Sequence, residues 1–219
     1  MTTQGTAAGL VDWRTVERLT ALIPAGPSAS RSARASSVAV LRRSAQEAPA
    51  WVARITGLNR AAQQVAETTR VSVVDRAGLV RASTRALRGL MEQVPAPPAS
   101  EAIQLVGAAE VAGAMSLLAT RLLGQVVPAA PSGTSGHGGG SAGPARPSGE
   151  GDGEGDDVVT SGTAPARDVT TGEGWDGAAS PHLLLVAPNV LAVRRQMDLD
   201  MLDLPAWVCL HEMTHAVQL

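Results

Sequence analysis

The amino-acid sequence predicts a mainly α-helical fold with a small β element, that is, an α+β protein. Most segments of the 219-residue chain place their apolar residues at the three- and four-residue spacing of an amphipathic helix. Two short aliphatic runs, VSVVD at 71–75 and LLLVAP at 183–188, have the length and composition of strands instead. Proline and glycine residues separate these segments, as they commonly do at the ends of helices and strands.

The first hundred residues predict three helices and one strand. The helices are expected at 10–23, 38–57 and 81–94. The second of them is expected to break at Pro49, because proline removes a helical hydrogen bond and clashes with the preceding turn. The strand at 71–75 lies between the second and third helices.

A fourth helix is predicted at 100–124, with Ser100 as its N-cap. It is apolar on nearly every side, which predicts a position at the centre of a helical core. Glu110 and Arg121 interrupt the apolar sequence, and the uncharged stretch between them is too short to cross a bilayer. We therefore expect a buried helix and no membrane-spanning segment.

The composition changes abruptly in residues 129–180, which consist mainly of Gly, Ser, Pro, Ala, Asp and Glu. Such a segment cannot bury enough apolar surface to offset the entropy of ordering it, so it predicts a disordered linker or insertion. The chain is thereby divided into a helical N-terminal region at 1–128, this linker, and a second ordered region at 181–219.

The C-terminal region predicts a strand followed by two helices. The strand at 183–188 leads into a short helix at 190–197, for which Asn189 is the expected N-cap. Asp203 is the expected N-cap of the last helix, and Pro205 lies in its first turn, where a missing N–H costs nothing.

The overall composition excludes several classes of function. A net charge of −2 gives no electrostatic reason to expect nucleic acid or an anionic membrane as a partner. All basic residues are arginines, so this chain cannot supply a P-loop lysine or a Schiff-base lysine, and without Tyr it cannot supply a tyrosine nucleophile. The single cysteine, Cys209, and an N-terminus without a basic and apolar leader predict a reducing compartment, the cytoplasm.

The last predicted helix contains WVCLHEMTHAVQL at 207–219, in which His211, Glu212 and His215 have the spacing H-E-x-x-H. Histidines four residues apart project from one face of a helix, so both rings can reach one zinc ion at about 2.0–2.1 Å. Glu212, roughly 100° around the helix from His211, is expected beside a zinc-bound water, where it can act as a general base. The flanking residues are uncharged, as a buried active-site helix requires.

The alternative to a metal site is a histidine pair that is packed and satisfied inside a core. Cys209, just before the motif, is expected to be a small buried apolar residue. Of the other histidines, His137 and His182, the second lies close enough to an ordered region to stay a candidate. Glycine patterns in 129–180 resemble nucleotide-binding and nucleophile-elbow motifs, and Asp152 begins a run similar to a calcium loop, but their context predicts solvated disorder.

The chain resembles the zincin-like metallopeptidase family that is common in actinobacteria and is often labelled as associated with biosynthesis of a deazaflavin coenzyme. The stretches that carry the resemblance are VDWRTVERL near the start, 73–94, 111–125 and, most specifically, 182–218. It implies a zincin-like fold in which 181–219 begins the catalytic region. It also implies zinc ligation by His211 and His215, Glu212 as the base, and a substrate cleft lined by the strand at 183–188.

A catalytic zinc ion takes three protein ligands, and the motif supplies two. Residue 218 is Gln where the longer histidine pattern would have Gly, and the upstream carboxylates of Asp203, Asp168 and Glu173 are poor substitutes. We therefore expect the third ligand beyond Leu219, and the chain to be the N-terminal portion of a zinc-dependent hydrolase of peptide bonds, inactive as a fragment. Its expected substrate is a peptide or protein. The alternative is a non-catalytic helical interaction protein on a degenerate zincin scaffold.

Overall fold

The computed structural model describes residues 5–127 and 180–218, which belong to one compact unit. Its helices are α1 Trp13–Thr20, α2 Arg31–Thr56, α3 Asn59–Thr68, α4 Arg76–Met91, α5 Glu101–Arg121, α6 Ala187–Gln196 and α7 Asp203–Gln218. Its strands are β1 Gly5–Thr6, β2 Arg70–Val74, β3 Pro95–Ala96, β4 Gly124–Val127 and β5 His182–Val186, and a 3-10 helix, Ala7–Leu10, follows β1. The predicted α+β class is confirmed. The predicted linker at 129–180 lies outside the described residues except for Ser180.

A three-stranded sheet joins the two described segments of the chain. Its order is β2-β5-β4, with β5 parallel to β2 and antiparallel to β4. β5 is buried along its whole length, which explains why its sequence is a continuous aliphatic run and does not alternate. The strands predicted at 71–75 and 183–188 are confirmed as β2 and β5. β4 is not predicted, because its four residues follow closely on a long helix and do not alternate. β1 and β3 form a separate antiparallel pair.

The main core lies between this sheet and helices α2 and α7. The buried apolar residues that form it come from α2, β5, α6 and α7: Leu41, Ala45, Ala48, Val52, Leu183, Leu185, Val190, Leu204, Val208, Cys209, Met213 and Ala216. Burial of apolar surface contributes about 25 cal/mol per Å². This core therefore determines which face of α7 points inward and which points out.

The break predicted at Pro49 does not occur. α2 is continuous from Arg31 to Thr56, and Pro49 is buried inside it. Ala45 and Val52 lie in the core on the same helix, so packing of this face against α7 offsets the one hydrogen bond that the proline removes. α2 ends instead at Gly57, whose φ of 75° is the left-handed cap that glycine adopts most readily.

Two further helix boundaries differ from the prediction. α4 begins at Arg76, before the predicted 81–94, because Asp75 caps it: the carboxylate accepts a hydrogen bond from the backbone N–H of Gly78 at 2.6 Å. α3 is absent from the sequence-based prediction. The last helix, α7, begins at Asp203 itself, with Pro205 in its first turn as predicted.

Asn189 is not the N-cap that the sequence predicts. α6 begins at Ala187, so Asn189 lies inside the helix, where it is only 2% exposed. Its amide nitrogen donates to the backbone oxygens of Ala119 and Leu122 at 2.8 and 2.7 Å, and its amide oxygen accepts from Nε of Arg76 at 2.7 Å. This buried amide ties α6 to the end of α5 and to the turn that leads into β4.

The predicted position of α5 at the centre of a core is wrong. One side of the helix, which includes Ala108 and Ala112, is buried and packs against α1 and α4. On the other side Ile103, Val106 and Leu117 are 54%, 60% and 59% exposed. The apolar residues on every side of α5 therefore include one face that the described part of the fold leaves exposed. By length and composition alone, α5 is also the one helix within 5–127 and 180–218 that is long and apolar enough to cross a membrane.

Candidate metal centre

The two motif histidines lie on the open face of α7. Val208, Cys209 and Met213 occupy the main core, whereas His211 and His215 are exposed in the described part of the chain. The helical period accounts for this division, because residues four apart share a face while their neighbours point elsewhere. The histidine pair is therefore not packed in a core, as the alternative interpretation of the motif required.

The two imidazole rings converge on one point. Nε2 of His211 and Nε2 of His215 are 3.2 Å apart, and the rings meet edge to face with their centroids 4.7 Å apart. Two nitrogen ligands of one tetrahedral zinc ion, each about 2.0–2.1 Å from the metal, lie about 3.3 Å from each other. The pair thus has the spacing that two ligands of a single zinc ion need.

Trp207 supports the first of these histidines. Its indole stacks on the ring of His211, with centroids 5.2 Å apart and an angle of 13° between the planes. Contacts of this kind contribute about 0.5–1.5 kcal/mol and restrict the orientation of both rings. This role is not among those predicted from the sequence, although the four-residue spacing of Trp207 and His211 is a signal for it.

Glu212 lies on a different side of α7, against β4. It is partly buried, and burial raises the pKa of its carboxyl group above the usual value, while the charges of His211 and His215 act in the opposite direction. A carboxylate with a raised pKa is a better proton acceptor near neutral pH. This environment suits a general base.

Gly124, the first residue of β4, lies directly beside Glu212. A β-carbon added at Gly124 would lie 2.7 Å from Cγ and 3.0 Å from Cδ of Glu212, which is closer than non-bonded carbons approach each other. This contact is not predicted from the sequence. A glycine just after a long helix predicts a helix end, and no local signal points to a residue so much later in the chain.

The strand beside the motif is β4 and not the one that the resemblance implied. β5, which contains the LLLV of the predicted strand at 183–188, is hydrogen-bonded to β2 on one side and to β4 on the other. It is therefore the buried central strand of the described sheet, and both of its edges are already paired, so the described residues give no support to its expected place along a substrate cleft. β4 is an edge strand of the described sheet, next to β5, and it contacts α7.

Cys209 belongs to the core, as predicted. It is fully buried, and its Sγ lies 3.7 Å from the backbone oxygen of Leu41 on α2. Burial in the first place, and the nearby charge of Glu212 in the second, raise the pKa of the thiol to about 12. The group is therefore a protonated, unreactive thiol at neutral pH.

A third ligand does not join the histidine pair within 5–127 and 180–218, where no group of three or more His, Cys, Asp or Glu residues could hold a metal ion. His182, the remaining candidate, is buried in β5 with its Nε2 3.2 Å from Oγ of Ser72. Asp203 is in the first turn of α7, two turns before His211. The other groups considered lie outside the described residues: His137, Asp152, Asp168 and Glu173.

Comparisons with known proteins identify the family of the chain and do not bear on individual site residues. Neither the curated proteins nor the solved structures include a match to the chain. The family model described as zincin-like metallopeptidase matches residues 11–219, which include every helix from α1 to α7 and the whole H-E-x-x-H motif. Because the match covers nearly the whole length, the chain belongs to the zincin-like metallopeptidase family.

Proposed function

We propose that this chain belongs to a zinc-dependent hydrolase of peptide bonds, with His211 and His215 as two of the three protein ligands that a catalytic zinc ion takes and Glu212 as the general base. One observation carries the proposal: two exposed imidazole nitrogens lie 3.2 Å apart on the same helix as a partly buried carboxylate whose pKa is raised. Membership of the zincin-like metallopeptidase family supports it.

The chemistry divides among the residues as follows. When bound, zinc supplies Lewis acidity, which polarises a substrate carbonyl and makes water more acidic. His211 and His215 would hold the ion. Glu212 takes a proton from the water whose oxygen adds to the scissile carbonyl carbon. It then passes the proton to the amide nitrogen as the carbon–nitrogen bond breaks, which leaves a carboxylic acid and an amine.

The substrate we propose is a peptide or protein that binds in extended form along β4. In the described part of the chain, β4 pairs with β5 alone, so its second edge has no strand partner there. An extended peptide gains main-chain hydrogen bonds at such an edge whatever its side chains are. Gly124 begins this strand beside Glu212, so a peptide paired with β4 would pass close to the base.

Calorimetry with zinc on the full-length protein tests the ligand assignment. His211→Ala and His215→Ala are each expected to lower zinc affinity at least about tenfold, as loss of a metal ligand does. Gln218→Ala, on an exposed position of the same helix, is the matched control and is expected to leave the affinity unchanged. Equal affinity of the two histidine variants and the wild-type protein would refute the assignment.

Hydrolysis of a quenched-fluorescent random peptide library by the same protein tests the role of Glu212. Glu212→Gln is expected to keep zinc affinity and to lower the rate at least about a hundredfold, because the amide cannot accept the proton. The exposed Glu47→Gln on α2 is the control, since it makes the same change away from the site. A Glu212→Gln protein as active as the wild type would exclude this base.

A non-catalytic interaction protein is the second candidate function, and the exposed apolar face of α5 favours it. Ile103, Val106 and Leu117 present on that face the kind of surface that protein partners cover. Under this function, Glu212→Gln would change no property except the stability of the metal-free protein. The association with deazaflavin coenzyme biosynthesis stays a prediction from the resemblance alone.

A further inference from the structure

Gly124 has no backbone reason to be glycine. The glycines with positive φ in the described residues are Gly26 and Gly57, so Gly124 has a backbone conformation open to any residue. It lies in a strand, opposite Leu185 of the buried central strand, where a glycine weakens pairing and offers no side chain to pack. The strand alone would thus favour a larger residue, and the reason for glycine must lie in its surroundings.

The surroundings of Gly124 are the side chain of Glu212. An added β-carbon would lie 2.7 Å from Cγ, 3.0 Å from Cδ and 3.2 Å from Oε1 of this residue. The shortest distance is to the inner part of the side chain, so rotation of the carboxylate alone would not relieve the collision. The whole Glu212 side chain would have to adopt another rotamer.

The backbone before Gly124 is held in place by hydrogen bonds from two buried residues. The amide of Asn189 donates to the oxygen of Leu122, and the N–H of Val186 donates to the oxygen of Leu123 at 2.8 Å. Moving β4 away from α7 would break these bonds, and a buried polar group that loses its partner costs about 1–3 kcal/mol. A side chain at position 124 is therefore accommodated by displacement of Glu212 and not by displacement of the strand.

We propose that Gly124 is a positioning residue for Glu212. Because glycine has no side chain, the Glu212 side chain can occupy this space and keep the carboxylate of the general base in its position. This proposal rests on the function proposed above. Displacement of a reacting group by about 1 Å can lower a rate about a hundredfold. Zinc binding by His211 and His215 should not change, because these side chains lie on the other, exposed face of α7.

A double-mutant cycle on the metal-free, full-length protein tests the contact. Gly124→Ala is expected to lower the midpoint of urea unfolding. In a Glu212→Ala background the same change is expected to leave the midpoint unchanged or to raise it, because the colliding carbons are gone and Ala lowers the entropy of the unfolded chain. Gly113→Ala is the control, since nothing lies within 4 Å of a β-carbon there. An equal decrease of the midpoint in both backgrounds would overturn the proposal.

The zinc-loaded protein gives the second measurement. Gly124→Ala is expected to bind zinc within about twofold of the wild-type affinity and to lose at least about tenfold in kcat on the peptide library, with a smaller change in KM. Unchanged kcat in an active protein would overturn the positioning role. If the wild-type protein neither binds zinc nor hydrolyses peptides, the proposed function fails, while the cycle still decides whether Gly124 holds Glu212 in place.

Discussion

Replacing Asn189 by alanine is expected to lower the free energy of unfolding by about 3–4.5 kcal/mol. The buried side chain donates to the backbone oxygens of Ala119 and Leu122 and accepts from the guanidinium of Arg76. A hydrogen bond between neutral groups contributes about 1 kcal/mol and one to a charged group about 1.5–3 kcal/mol. The better helix propensity of alanine in α6 returns about 0.5 kcal/mol, which the estimate includes.

Urea unfolding followed by circular dichroism measures this loss. The midpoint is expected to fall while the slope stays constant, because the variant changes stability and not the surface exposed on unfolding. Asn59→Ala is the matched control: Asn59 is exposed, and its amide makes one long bond of 3.3 Å to the oxygen of Gly57. That change is expected to cost no more than about 0.5 kcal/mol. A loss below about 1 kcal/mol for Asn189→Ala would refute the argument that this amide ties α6 to α5 and β4.

Three other predictions follow from individual residues. In the metal-free protein, burial raises the pKa of Glu212 above the ordinary glutamate value. The folded protein is therefore most stable below the ordinary pKa, where Glu212 is protonated in both states, and it loses this stability as the pH rises through the raised pKa. Glu212→Gln is therefore expected to raise the thermal midpoint at pH 7–8 and to have no such effect in acid; an equal effect at both would contradict it. Gly57→Ala is expected to cost about 1 kcal/mol in urea unfolding because of the φ of 75°, whereas Gly113→Ala should be neutral or stabilising, and equal effects would contradict the cap. Cys209 is expected to resist maleimide in the folded protein and to react only on unfolding, because it is buried with a pKa of about 12; rapid labelling of the native protein would contradict this.

Features that depend on a few consecutive residues could be predicted from the sequence. The aliphatic run LLLV is a buried strand, and the helical period of the last helix divides its core face from its histidine face. The spacing of His211 and His215 predicts that their rings share one side of a helix, and the 3.2 Å between the Nε2 atoms agrees with it. In each case the backbone geometry of one element is sufficient to bring the side chains together.

Features that depend on packing between distant segments were mispredicted or missed. Pro49 does not break α2, because the core contacts of that face outweigh one lost hydrogen bond. Asn189 looks like a helix cap but is a buried link between α6 and the end of α5. The apolar sequence of α5 predicts burial on all sides, since composition does not reveal that the described fold covers one side only.

The sequence by itself determined which side chains can act together on α7, because a helix places residues four apart on one face whatever surrounds it. Only the tertiary structure decided that β4 and not β5 lies beside Glu212, and that a glycine there leaves room for its side chain. The reason is physical: the contact joins residues from separate parts of the chain, and their distance is set by how the sheet, α2 and α7 pack into one core.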